Sequence, residues 1–246
     1  METICNFKRI EKKYLLSEKQ YNALFRQIGF HLKPDEYGRS TVLSLYLDTP
    51  DHRIIRNSIE AMNYKEKLRL RSYGTAAPDS IVFLELKKKF RGVVYKRRAA
   101  MTLAQASSYL QHREKPFDTQ IMSEIDWAMK LYRWPKPVVL IACEREAWFD
   151  DVHPDLRLTF DRNIRYRETD LSFSHTYAGT PLLQNSTVLL EIKTAGAMPL
   201  WLADALDQGG ILPCSFSKYG TAYTCSQEKN QIISLQKGVY KNVVNF

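Results

Sequence analysis

Charged and apolar residues alternate with period two through most of this chain, and no other feature restricts its fold so tightly. Successive side chains on a β-strand point to opposite faces, so such alternation describes strands with one apolar and one ionic face. In Tyr64-Lys65-Glu66-Lys67-Leu68-Arg69-Leu70-Arg71, the cations Lys65, Lys67, Arg69 and Arg71 share a face and Leu68 and Leu70 take the other. Glu85 and Lys87 oppose Leu84 and Leu86, and the next segment sets Lys96 and Arg98 on one side. Arg157, Thr159 and Asp161 oppose Leu156, Leu158 and Phe160, while Glu191 and Lys193 oppose Leu190 and Ile192. Near the N-terminus Arg9, Glu11 and Lys13 align.

This reading predicts strands over 5–14, 41–48, 64–73, 80–89, 92–100, 138–149, 156–166 and 187–194, enough to close a barrel. The helices between are short and capped. Ser17 with Gln20, and Thr102 with Gln105, form capping boxes, and Gly29 ends the first helix. A third helix runs from Asp118 to about Tyr132 and stops at Trp134-Pro135-Lys136-Pro137, one starts at Pro199, and a last one starts near Ser217. The fold class is therefore α+β, an antiparallel sheet with peripheral helices. No stretch reads as an interdomain linker, so the expectation is one domain over 1–225 and a tail of unassigned role over 226–246.

Lys and Arg exceed Asp and Glu by a net formal charge of +9, which favours a polyanionic partner. A hydrophobic content of 44% excludes a disordered or collagen-like chain. Cys5, Cys143, Cys214 and Cys225 form no CxxC pair and no apolar leader follows Met1, so four cytoplasmic thiols are expected. The longest apolar run, Val138 to Cys143, is far short of the ~20 residues of a membrane helix, so no membrane span is expected.

An antiparallel sheet with one wet face alternates in the same way, and for any single strand that is the simpler reading. Two details favour another for the set. The polar faces are strongly cation-biased, and carboxylates recur in a Glu-x-Lys spacing at Glu11, Glu85 and Glu191. Turned inside a closed barrel, these cations would repel one another unless a polyanion neutralised them, and Arg and Lys are the side chains that hold phosphate oxygens. The carboxylates are then explained by a hard divalent ion, magnesium or manganese, bridging them to phosphate.

Further segments join this pattern: Phe7-Lys8-Arg9-Ile10-Glu11-Lys12-Lys13-Tyr14, Ser44-Leu45-Tyr46-Leu47-Asp48-Thr49-Pro50, Lys67 to Gly74, Phe83 to Lys87, Leu190 to Lys193 and Ser215-Phe216-Ser217-Lys218-Tyr219. In this order, over roughly residues 5–225, the chain resembles the polyphosphate polymerase domain of the vacuolar transporter chaperone (VTC) family, within the triphosphate tunnel metalloenzyme superfamily. The resemblance implies an eight-stranded antiparallel β-barrel, a tunnel whose interior binds a triphosphate and a metal ion. It implies phosphate contacts from Lys13, Arg69, Arg71, Lys87, Lys96, Arg145, Arg157, Lys193, Ser217 and Lys218, and metal binding by Glu191. Alternation adds Lys65, Lys67 and Arg98 as tunnel or rim residues. Hydrolytic relatives carry Glu-x-Glu-x-Lys where this chain has Arg9-x-Glu11-x-Lys13, a less acidic pattern that resembles the polymerase branch.

The expected reaction transfers the terminal phosphoryl group of ATP to inorganic polyphosphate. Arg69, Arg71, Arg145 and Arg157 would clamp the triphosphate, Lys193 and Lys218 would stabilise the transferring group, and Glu191 with Glu11 or Glu85 would hold Mn2+ or Mg2+. The sensor domain and membrane helices that accompany this domain in the eukaryotic complex have no counterpart here, so translocation would fall to a membrane-protein partner. Three other readings stay open: a triphosphatase on the same tunnel, a non-catalytic polyphosphate binder, and a basic nucleic-acid module. The last lacks any RNA-binding or helix-turn-helix motif, so no nucleic acid is expected. No Gly-rich phosphate loop, Gly-x-Ser-x-Gly elbow or His-Glu-x-x-His motif occurs, and Cys143 in its apolar strand reads as a packed thiol.

Overall fold

A computed structural model describes residues 10–91, 93–175 and 179–229. The N-terminal half of the first predicted strand, with Cys5 and Arg9, and residues 230–246 of the predicted tail lie outside the described residues. The eight predicted strands are present as β1 (Ile10–Ser17), β2 (Leu32–Asp48), β3 (Tyr64–Tyr73), β4 (Ile81–Phe90), β5 (Val93–Thr102), β6 (Lys136–Asp150), β7 (Arg157–Arg167) and β9 (Thr187–Thr194). Two short strands, β8 (Thr180–Pro181) and β10 (Pro213–Cys214), complete the sheet.

All pairings are antiparallel, in the order β10-β1-β9-β7-β6-β2-β3-β4-β5, with β8 on β7. The expected closed barrel is corrected here. Among the described residues no ladder joins β5 to β10 or β1, so the sheet curls without closing. The second edge of β1 is taken by the two residues of β10, where Pro213 has no N–H to continue a ladder. Side chains bridge the gap instead: Lys87 Nζ on β4 lies 3.0 Å from Glu11 Oε2 on β1.

Helices cover the convex side. Both predicted capping boxes are made, Ser17 for α1 (Glu18–Ile28) and Thr102 for α3 (Leu103–His112). Thr119 caps α4 (Gln120–Leu131), which with α3 covers Leu68, Leu70, Leu84 and Leu86, the apolar faces of β3 and β4. α1 and α5 (Leu200–Gln208) cover Leu158, Leu190 and Ile192. The ionic faces are thereby left on the concave side.

One helix had no sequence signal. α2 (Arg53–Glu60) follows His52 in a left-handed conformation, and its N-cap side chain makes no capping bond. Its cap comes instead from Asp48, fully buried at the end of β2, whose carboxylate accepts from the backbone N–H of Thr49, Ile54 and Ile55 at 2.8, 2.9 and 3.0 Å. The same carboxylate accepts from the Tyr219 hydroxyl at 2.8 Å, tying down the last helix, α6 (residues 218–229). Asp48→Ala strands several buried donors at once, so a loss of about 3 kcal/mol or more is expected in urea unfolding, against about 1 kcal/mol for Tyr219→Phe.

Candidate functional site: a cation-lined tunnel

The concave face encloses a cavity of about 1040 Å³. Lys65, Lys67, Arg69 and Arg71 of β3 all face it, as their alternation predicts, with Lys87, Lys96 and Arg98 beside them. Lys13, Glu11, Lys193 and Glu191 enter from β1 and β9, Arg145 from β6, and Ser217 and Lys218 from the start of α6. Arg157 is the exception among the expected phosphate ligands: it shares a face with Lys193 but stands exposed in solvent, outside the cavity lining.

Buried carboxylates hold the arginines. Glu85, 1% exposed, receives Arg69 Nε at 2.7 Å, Arg98 Nε at 2.7 Å and Lys96 Nζ at 2.7 Å. Asp161, also buried, takes Arg145 through two bonds of 2.6 and 2.7 Å and Lys218 at 2.6 Å. Burial alone would raise the pKa of both carboxyls, yet these cations hold them far below the usual carboxylate range. Asp161 lay on an ionic face in the sequence but carried no sign that it anchors two site cations. Tyr46 also lines the cavity, accepting from Arg69 at 3.2 Å and stacking on Tyr219 at 4.6 Å.

Glu11 and Glu191 form a second carboxylate group. Both reach Lys13 Nζ, at 3.4 and 3.5 Å, so their oxygens converge on one cation position. Two hard oxygen donors suit a divalent ion that completes its shell with phosphate oxygens and water. Glu85 stands apart from them among its guanidinium groups, and no cluster of three metal-ligating side chains occurs among the described residues.

The lysines behave differently from the arginines. Burial, then repulsion from Lys13, Lys87 and Arg69, pulls Lys67 down to about 7, and burial does the same to Lys96 despite Glu85. Lys193 is lowered by burial too, whereas at Lys218 burial is outweighed by Asp161, Cys143 and Glu191 together, and the group is raised. Lys67 donates to Ser217 Oγ at 2.6 Å, and Lys13 to the Phe216 carbonyl at 2.8 Å. The Cys143 thiol is pushed up to about 11 by burial, as befits a packed thiol.

A curled antiparallel sheet around a cation-lined cavity is the architecture of a tunnel fold. The VTC domain family model matches residues 8–227, and the chain belongs to that family. Among solved structures, a candidate adenylate cyclase of Bacillus halodurans aligns at 15% identity and a TM-score of 0.53, over 85% of this chain and 93% of its own, a likeness of fold. Another from Vibrio parahaemolyticus aligns at 14% identity and a TM-score of 0.47, over 89% of this chain and 98% of its own. No curated protein matches the chain. No helix among the described residues is long and apolar enough to cross a membrane.

Because the unfolded chain protonates Lys67 and Lys96 near the ordinary lysine value of 10.5 and the native one only near 7, the native state binds fewer protons in between. Stability of the ligand-free protein should therefore rise between about pH 7 and pH 9 in urea unfolding, and Lys67→Met with Lys96→Met should flatten that rise. Inorganic tripolyphosphate, by recharging both lysines, should bind with proton uptake at about pH 8, read by calorimetry in buffers of different ionisation heat.

Proposed function

We propose that the chain is a metal-dependent polyphosphate polymerase, transferring the terminal phosphoryl group of ATP to the end of an inorganic polyphosphate chain with release of ADP. The observation that carries this reading is the joint one: arginines fixed by buried carboxylates and a separate pair of converging carboxylates around one cavity. Phosphoryl transfer asks a protein mainly for positioning and charge neutralisation, and the acceptor phosphate is already an anionic nucleophile. A serine or cysteine nucleophile is not required.

In this mechanism Glu85 and Asp161 are positioning residues. They aim Arg69, Arg98 and Arg145 so that the remaining guanidinium donors meet phosphate oxygens without reorganisation. Arg71, held beside Ser44 at 3.4 Å, extends the clamp, and Lys218 and Lys193 supply positive charge to the transferring group. Glu191 with Glu11 would hold Mn2+ or Mg2+, which when bound neutralises phosphate charge. Arg157, at the exposed margin, would meet the phosphate chain only outside the cavity.

The test is incubation with ATP, a short polyphosphate primer and manganese or magnesium, with products resolved by gel and ADP and free phosphate assayed. Chain growth with stoichiometric ADP supports the polymerase; free phosphate without growth assigns a triphosphatase, and binding without turnover a polyphosphate-binding protein. Arg69→Ala is expected to cut the rate about a hundredfold or more in a folded protein, the scale of losing one preorganised charge donor. A fully active, folded Arg69→Ala protein would contradict the clamp.

A further inference from the structure

At one end of β3, β4 and β5 the two faces of the sheet carry different chemistry. In the outward rows Tyr64 pairs with Phe90 and Phe90 with Val93, then Glu66 pairs with Lys88 and Lys88 with Tyr95. Between them, facing the cavity, Lys65 pairs with Lys89 and Lys89 with Val94. Lysines thus lie inside this rim and rings outside it. α4 adds Trp127, whose ring centre lies 5.6 Å from Lys88 Nζ, and Leu131 one helical turn further on. The Arg91 N–H donates to the Asn63 carbonyl at 2.8 Å, which brings Met62 beside the end of β4.

These apolar groups stand open to solvent. Met62 is 94% exposed, Trp127 59% and Leu131 52%, and the Tyr64, Phe90 and Tyr95 side chains are exposed as well. A contiguous exposed apolar patch rimmed by charge marks an interaction surface, and here the unspent charge has one sign. The carboxylates of this region are already paired: Glu66 with Lys88 and Tyr132, Glu124 with Arg97, and Asp126 with Lys130. Among the described residues no carboxylate pairs with Lys65, Lys89 or Arg91. Glu60, two residues before Met62, is the exposed carboxylate nearest along the chain.

That charge selects the occupant. A second copy of this chain seated here would set these cations against their own kind, which is repulsive. Trp and Tyr rings interleaved with Lys and Arg are instead the side chains that settle at the boundary of an anionic bilayer, the rings among the headgroups and the cations beside lipid phosphates. A bilayer also demands no matching pocket, which suits side chains standing out from a convex surface.

We propose that the rim formed by Tyr64, Phe90, Tyr95 and Trp127, with Lys89 and Arg91, docks the chain on the surface of an anionic phospholipid bilayer without crossing it. Such docking is independent of the reaction inside the cavity.

The test is sedimentation of the full chain with vesicles of phosphatidylcholine alone and of phosphatidylcholine mixed equally with phosphatidylglycerol, with thermal melting to verify the fold of each variant. Binding to the anionic vesicles alone is expected, weakened about tenfold or more by Phe90→Ser combined with Trp127→Ser. Phe30→Ser, which removes an exposed ring elsewhere, should leave binding unchanged. Trp emission should move to the blue on anionic vesicles, and Trp127→Phe should remove most of that movement. No binding to anionic vesicles, or binding that the folded double variant keeps, overturns the proposal. Binding that Arg69→Ala abolishes and the double variant retains assigns the lipid headgroup to the cavity and overturns it too. If the chain ignores vesicles but binds polyglutamate through Lys89 and Arg91, the occupant is an acidic protein and the bilayer is excluded.

Discussion

Mutual repulsion among cations that share one enclosed space is the constraint on which the rest of this molecule depends. Charges a few ångströms apart in a poorly solvated cavity interact far more strongly than on a surface, and the fold meets this in two ways. Arginines, which cannot shed their protons, are clamped by Glu85 and Asp161, both inside the wall. Lys67, Lys96 and Lys193 are pushed toward the neutral form by burial, while Lys218, paired with Asp161, is held charged. The cavity wall is therefore a carboxylate-braced guanidinium frame with several lysines whose charge a bound polyanion would restore.

Much of this was legible in the sequence because period two specifies which side chains share a face. The capping boxes at Ser17 and Thr102 were equally legible, since every participant lies within four residues. α2 was not, because its cap is Asp48, which reaches forward to Ile54 and Ile55 across a turn. Closure was misjudged for a related reason. Periodicity describes faces, while barrel closure depends on which edges pair, and here the second edge of β1 is occupied by Pro213–Cys214.

Within the site, residue type and spacing could not separate carboxylates of different use. Glu11, Glu85 and Glu191 share the Glu-x-Lys pattern, yet Glu85 is surrounded by Arg69, Lys96 and Arg98 while Glu11 and Glu191 converge on Lys13. Asp161 was hidden because its partners, Arg145 and Lys218, come from distant segments. Arg157 has the right face, opposite Lys193, but its side chain is exposed and outside the cavity lining. Depth along a strand is set by tilt and curl, which alternation does not encode.

Among the described residues no backbone ladder joins β5 to β10, and this changes what kind of container the sheet makes. A fully laddered barrel is a pipe, and a long polymer can only be threaded through it from an end. This sheet is open along one side, and the contact of Lys87 on β4 with Glu11 on β1 crosses the cavity one strand in from each edge. Ion pairs exchange partners without breaking a ladder, and among the described residues no backbone hydrogen bond joins the two edges. Along that side the cavity wall is held by side chains rather than by a continuous backbone ladder, so its width there is set by charge pairing and not by strand register.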